Sequence, residues 1–111
     1  MRPSTLSVAL LCLATLLPPF CGAAHADEQV VVQKNKAFSV QKLKLKVGDS
    51  VSFRNDDPFF HNIFSLSPAQ SFDLGSFPKG QVRKVTFSKA GTIDVECAIH
   101  PEMQMQIEVA K

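Results

Sequence analysis

Lys42-Leu43-Lys44-Leu45-Lys46-Val47-Gly48-Asp49-Ser50-Val51-Ser52-Phe53 is the stretch that decides the fold. Side chains alternate faces along a strand, so Leu43, Leu45 and Val47 share one face while Lys42, Lys44 and Lys46 share the other. Such a strand is buried on one side and wet on the other. Gly48-Asp49 then supplies turn chemistry, and a second apolar run begins at Val51. Outward from here the pattern repeats. Short apolar or alternating runs lie at 30–32, 38–40, 61–66, 82–87, 92–96 and 105–109. Asn55-Asp56-Asp57-Pro58, Pro78-Lys79-Gly80 and Lys89-Ala90-Gly91 mark turns between them. No stretch holds a sustained 3.6-residue apolar period. About eight short strands at this spacing predict an all-β domain, a Greek-key antiparallel β-sandwich. Residues 55–60 and 67–76 read as loops, the second with a helical turn near Pro68-Ala69-Gln70.

The first residues obey different rules. Arg2 precedes an apolar stretch over 6–17, then Pro18-Pro19, then Ala24-His25-Ala26. One basic residue, about ten apolar ones and a small-x-small site make an export signal, whereas a membrane-spanning helix needs about 20 apolar residues. The expectation is therefore a signal peptide over 1–26, cleaved after Ala26, and one domain over 27–111 with no membrane span left. Arg2 leaves with the signal, so eleven basic residues face ten acidic ones. That balance selects no partner, and the lysines alternate with apolar residues instead of clustering with stacking aromatics, which argues against nucleic acid.

Cys12 and Cys21 also fall in the signal, which leaves Cys97 as the sole thiol of an exported domain. It has no internal disulfide partner, so it is either inert and buried or a metal ligand. Two histidines and two methionines complete the soft-ligand inventory: His61, His100, Met103 and Met105. Three of these follow closely in Cys97-Ala98-Ile99-His100-Pro101-Glu102-Met103, between two strands, and His61 opens another strand after Phe59-Phe60. A thiolate and two imidazoles with a weak thioether suit copper in both oxidation states. They suit calcium and magnesium poorly, and a structural zinc site prefers four strong ligands. Taken singly, His61 and Cys97 would each more often be ordinary core residues.

With these residues in place, the chain resembles the cupredoxins, the small type 1 blue copper proteins of the plastocyanin and amicyanin kind. The resemblance runs through Val51-Ser52-Phe53-Arg54-Asn55, Phe60-His61-Asn62, Ala90-Gly91-Thr92 and the Cys97 loop, whose C-x-x-H-P-x-M order is the amicyanin form. It implies one copper ion held by His61, Cys97, His100 and Met103. Met105 competes for the axial place at the plastocyanin spacing. A ligand at Met103 leaves Met105, Ile107 and Val109 as one strand face, which favours Met103. The resemblance also implies a hydrogen bond from the Asn62 backbone N–H to the Cys97 sulfur. Two departures carry expectations of their own. Ala98 stands where relatives carry Ser or Thr, so a cross-link to Asn62 should be missing and the site looser. Ile99 stands where they carry Pro, so its N–H should donate a second bond to the thiolate.

The expected function is that of an exported, periplasmic electron carrier, a monomer cycling one copper between Cu(I) and Cu(II). Its partners are expected to be redox proteins that dock briefly near His100, over Phe59, Phe60, Ile99 and Pro101, with Glu102 tuning the choice. Both histidines are used by one metal, so nothing remains for a general base or a second copper, and no enzyme is expected. The alternative is a copper carrier or chaperone that passes the ion on. The Lys face at Lys42, Lys44 and Lys46, with Lys34 and Lys36, reads first as a solvated sheet face and second as a surface that steers an acidic redox partner.

Overall fold

The computed structural model describes residues 26–111, and the expected signal segment lies outside them but for Ala26. Nine strands follow in order: β1 (Glu28–Lys34), β2 (Ala37–Phe38), β3 (Lys42–Lys46), β4 (Ser50–Asn55), β5 (His61–Ser65), β6 (Phe72–Phe77), β7 (Val82–Thr86), β8 (Gly91–Glu96) and β9 (Gln104–Ala110). They form two sheets, β2-β1-β4-β7 and β3-β9-β8-β5-β6, with no helix among the described residues. The all-β two-sheet fold is the one expected.

Both sheets are mixed, which corrects the antiparallel expectation in detail. β1 runs parallel to β4, from Glu28↔Ser50 to Gln33↔Asn55, and β3 runs parallel to β9, from Lys42↔Gln106 to Lys46↔Ala110. Side-chain alternation reports which face of a strand is buried but says nothing about its neighbour's direction. β6 takes up the second half of the loop expected over 67–76. Its face pattern is blurred by Gly75 at φ 72° and by a register shift between Asn62 and Phe64 in the pairing with β5. Pro68-Ala69 makes a turn without a helix.

Leu45 is buried as its alternation requires, Leu43 is half-buried, and Val47 lies past the end of β3 and is exposed. Phe53, Phe77, Phe87, Ile63, Ile93 and Ile107 fill the space between the sheets and are fully buried. Each such side chain is worth about 1.5–3 kcal/mol of burial. One end of the sandwich is clipped by Asp49, whose carboxylate accepts the N–H groups of Asp27 (2.9 Å) and Lys46 (2.8 Å). Gly91 opens β8 at φ 148°, where a Cβ would sit 2.7 Å from the Cβ of Ala69, so only glycine lets the 66–71 loop pack there. Opposite that clip, β4 ends, β5 begins and the β8–β9 loop turns. This is where the chemistry gathers.

Candidate metal centre

β4 ends at Asn55, which is fully buried. Its amide donates to the carbonyls of Phe59 (2.8 Å) and Phe77 (2.9 Å), and its Oδ1 accepts the Asp57 N–H at 2.8 Å. The 56–60 loop is thereby folded back so that Asp57 points inward. Asp57 is buried and accepts three donors: Asn35 N–H at 2.7 Å, Lys36 N–H at 3.1 Å and the His61 imidazole at Nε2, 2.7 Å away. Burial pushes the Asp57 carboxyl up, but the bonds from His61, Lys36 and Asn35 outweigh it and hold the group below the usual carboxylate range. An ionised carboxylate only accepts, so it fixes the His61 proton on Nε2 and leaves Nδ1 as a free electron pair.

That pair faces sulfur. His61 Nδ1 lies 3.7 Å from Cys97 Sγ, and His100 Nδ1 lies 3.9 Å from the same atom. The ligand atoms of His61, Cys97 and His100 all lie within 4.8 Å of one another. His61 and Cys97 are buried and His100 is partly exposed. The loop after β8 is closed by Met103 N–H donating to the His100 carbonyl (2.9 Å) and Cys97 N–H donating to the Met103 carbonyl (3.3 Å). This turn folds Met103 inward, 1% exposed. Met105 is a β9 residue opposite Val95 and belongs to the packed core.

The expected bond from Asn62 N–H to Cys97 Sγ is present at 3.4 Å. The cross-link thought to be missing is not: Ala98 donates its backbone N–H to Asn62 Oδ1 at 3.4 Å, so no hydroxyl is needed. Asn62 also donates to Asp73 Oδ1 (3.0 Å), itself held by Gly75 N–H (2.9 Å), which ties the loop to β5 and β6 together. The second thiolate donor expected from Ile99 is not among the polar contacts of Sγ, which are the Asn62 N–H and the Nδ1 atoms of His61 and His100. Phe59 packs against both imidazoles, its ring centroid 5.3 Å from that of His61 and 5.0 Å from that of His100.

Three of the four expected ligands, His61, Cys97 and His100, lie together, and Met103 is folded inward on the same loop, whereas the sequence did not point to Asp57, Asn55 or Asp73. In the sequence, Asn55-Asp56-Asp57-Pro58 is turn chemistry, and nothing in it separates the buried Asp57 from the half-buried, Arg54-paired Asp56. The spacing of four from Asp57 to His61 was the available signal. Two imidazole nitrogens, one thiolate and a thioether fit copper: sulfur favours Cu(I), nitrogen tolerates Cu(II), and the carboxylate behind His61 orients the ligand and raises its basicity.

No protein-family model matches the chain. Among curated proteins it is 32% identical over 106 residues to the methylamine utilization protein MauL of Methylorubrum extorquens, covering 95% of this chain and 93% of MauL. It is 33% identical over 95 residues to amicyanin of Paracoccus denitrificans, covering 82% and 72%. A solved structure of an amicyanin variant in the Cu(I) form superposes with TM-score 0.69 at 28% identity, covering 78% of this chain and 87% of that one. A copper-containing nitrite reductase from Thermus scotoductus superposes with TM-score 0.71 at 25% identity, but the match covers 76% of this chain and only 22% of that larger chain. The relatives, the two-sheet fold and the nitrogen and sulfur donors at one end of it agree: the chain belongs to the cupredoxin family, with amicyanin and MauL among its relatives.

Proposed function

We propose that this cupredoxin is an electron carrier that holds one type 1 copper ion through His61 Nδ1, Cys97 Sγ, His100 Nδ1 and the Met103 thioether. The observation that carries the reading is that the donor atoms of His61, Cys97 and His100 lie within 4.8 Å of one another, the first two buried and already oriented by Asp57 and Asn62. Bound copper supplies a one-electron couple there. The protein's part is to keep the geometry fixed between the two oxidation states. Asp57 anchors His61, Asn62 holds the sulfur and the ligand loop, and burial keeps water from Cys97 and Met103. Only His100 reaches the surface, beside exposed Phe60 and Ile99, which gives a partner a short route and a small apolar contact suited to quick release. Copper delivery is not favoured, because a donor set locked from behind on two sides resists giving up its ion.

The domain works as an exported, periplasmic monomer that meets its redox partners transiently and has no catalytic chemistry of its own. Both described histidines are used by one site, leaving no general base beside it. Cleavage of 1–26 after Ala26 fits the local structure. The new α-ammonium of Asp27 would lie 2.9 Å from Asp49 Oδ1, turning a neutral donor into a charge-assisted one. The test is the visible spectrum of the mature domain loaded with Cu(II), before and after ascorbate. An intense thiolate-to-copper band near ~600 nm that bleaches and returns on reoxidation is expected of a trigonal site with thiolate. A colourless protein overturns the reading.

A further inference from the structure

The turn between β1 and β2 carries a feature that the copper site does not require. Lys34-Asn35-Lys36-Ala37 is a two-residue hairpin with Lys34 opposite Ala37, and both central residues have φ 55°. The second position of such a turn is where glycine costs least, and a lysine there is held in a left-handed conformation that its Cβ disfavours. The Lys36 N–H bond to Asp57 does not explain the choice, because glycine would donate it equally well. What only lysine provides is its ammonium, which stands 5.7 Å from the centroid of the Phe59 ring, and that ring packs on the exposed ligand His100.

Two further lysines flank it. Lys34 follows Gln33, which pairs with Asn55, and Lys79 lies in the turn whose Gly80 N–H donates to the Asn55 carbonyl at 2.7 Å. Both are close enough to Asp56 to help hold its carboxyl down. The nearby carboxylates are already committed, Asp56 to Arg54 at 2.9 Å and Asp57 to His61. No ion pair among the described residues involves Lys34, Lys36 or Lys79. The opposing charges on the ligand-loop side are Glu102 and Asp73, the latter held on Asn62 at 3.0 Å. By contrast, Lys44 on β3 stands opposite Glu108 of β9, so the lysine row there is partly neutralised. Unpaired positive charge therefore gathers at the copper end, beside exposed Phe60 (54%) and Ile99 (46%).

We propose that Lys34, Lys36 and Lys79 form a basic flank to the Phe60–Ile99 patch, and that this flank receives an acidic electron-transfer protein. The proposal rests on the electron-carrier reading above. An acidic surface would be steered to the flank before the apolar patches meet, raising the encounter rate at low salt.

The test follows oxidation of the Cu(I)-loaded protein by stopped flow, with trianionic ferricyanide and with a tricationic cobalt(III) phenanthroline complex, across ionic strength. One electron passes from Cu(I) to either oxidant. Lys36→Glu should slow ferricyanide about tenfold at low salt and speed the cobalt complex, while Lys44→Glu, with the same net charge change, should alter either rate less than about twofold. Lys36→Gly should slow ferricyanide about threefold without lowering the melting temperature, since it relieves the turn. Hexaglutamate should slow ferricyanide oxidation of the wild type and not of Lys36→Glu. Equal effects of Lys36→Glu and Lys44→Glu would overturn the flank and leave the electron carrier standing. Absence of the blue band in every variant would overturn both.

Discussion

Replacing Asp57 by Asn should raise the reduction potential of the copper site, and the size follows from the geometry. The Asp57 carboxylate sits 2.7 Å from His61 Nε2, with Nδ1 across the ring facing Cys97. One imidazole and one metal–nitrogen bond of about 2 Å place that charge about 7 Å from the ion. At an effective dielectric of about 20, a unit charge at about 7 Å contributes ~2.4 kcal/mol in favour of the more positive oxidation state. Reorientation of the Asn35 and Lys36 N–H groups offsets part of this, leaving about half. With 59 mV per tenfold change for one electron, the expected rise is about 50 mV. The assay is a spectroelectrochemical titration of both proteins at one pH above neutrality, where the carboxylate is ionised. The variant should also lose about 1–3 kcal/mol of stability, because a neutral amide replaces a charged acceptor of three bonds. A potential that is unchanged or lower, with the blue band intact, would show that the Asp57 charge does not act on the ion.

Met103→Leu should shift the potential and the spectrum, whereas Met105→Leu should leave both in place and change only the melting temperature, by the small amount typical of a volume-conserving core swap. The reverse pattern would make Met105 the axial ligand. Gly91→Ala should destabilise the fold by about 1–3 kcal/mol in denaturant titration, since its Cβ would meet that of Ala69 at 2.7 Å and its φ of 148° suits glycine alone. The Asp49 carboxyl is held below its usual range by the Lys46 and Asp27 N–H groups, so its stabilisation is present above the ordinary carboxylate pKa and lost as pH falls through the folded value. Asp49→Asn should therefore flatten the acid side of the stability profile measured by thermal melts between pH 7 and pH 3, and an unchanged profile would contradict this.

What was legible in the sequence is what alternation and spacing encode. Leu43 and Leu45 against Lys42, Lys44 and Lys46 gave a strand with one buried side, and the Cys97-to-Met103 loop between strands gave two of the three donors that lie together. Strand direction was not legible, because the partner of β1 is β4, a strand reached only after two others, and no local pattern records a long-range pairing. β6 was hidden by Gly75 and the register shift beside it. Asp57 was hidden because its role depends on Asn55 folding the loop and on the β1–β2 hairpin closing over it. The cross-link expected to be missing at Ala98 is present for a physical reason: a backbone N–H takes the place of the hydroxyl.

The central claim is the ligand set, and a high-resolution crystal structure of the copper-loaded domain tests it most directly. One ion is expected, bonded to His61 Nδ1, Cys97 Sγ and His100 Nδ1, with the Met103 thioether as a longer axial contact and Asp57 still on His61 Nε2. Copper at any other position, or a site in which Cys97 is not a ligand, would contradict it.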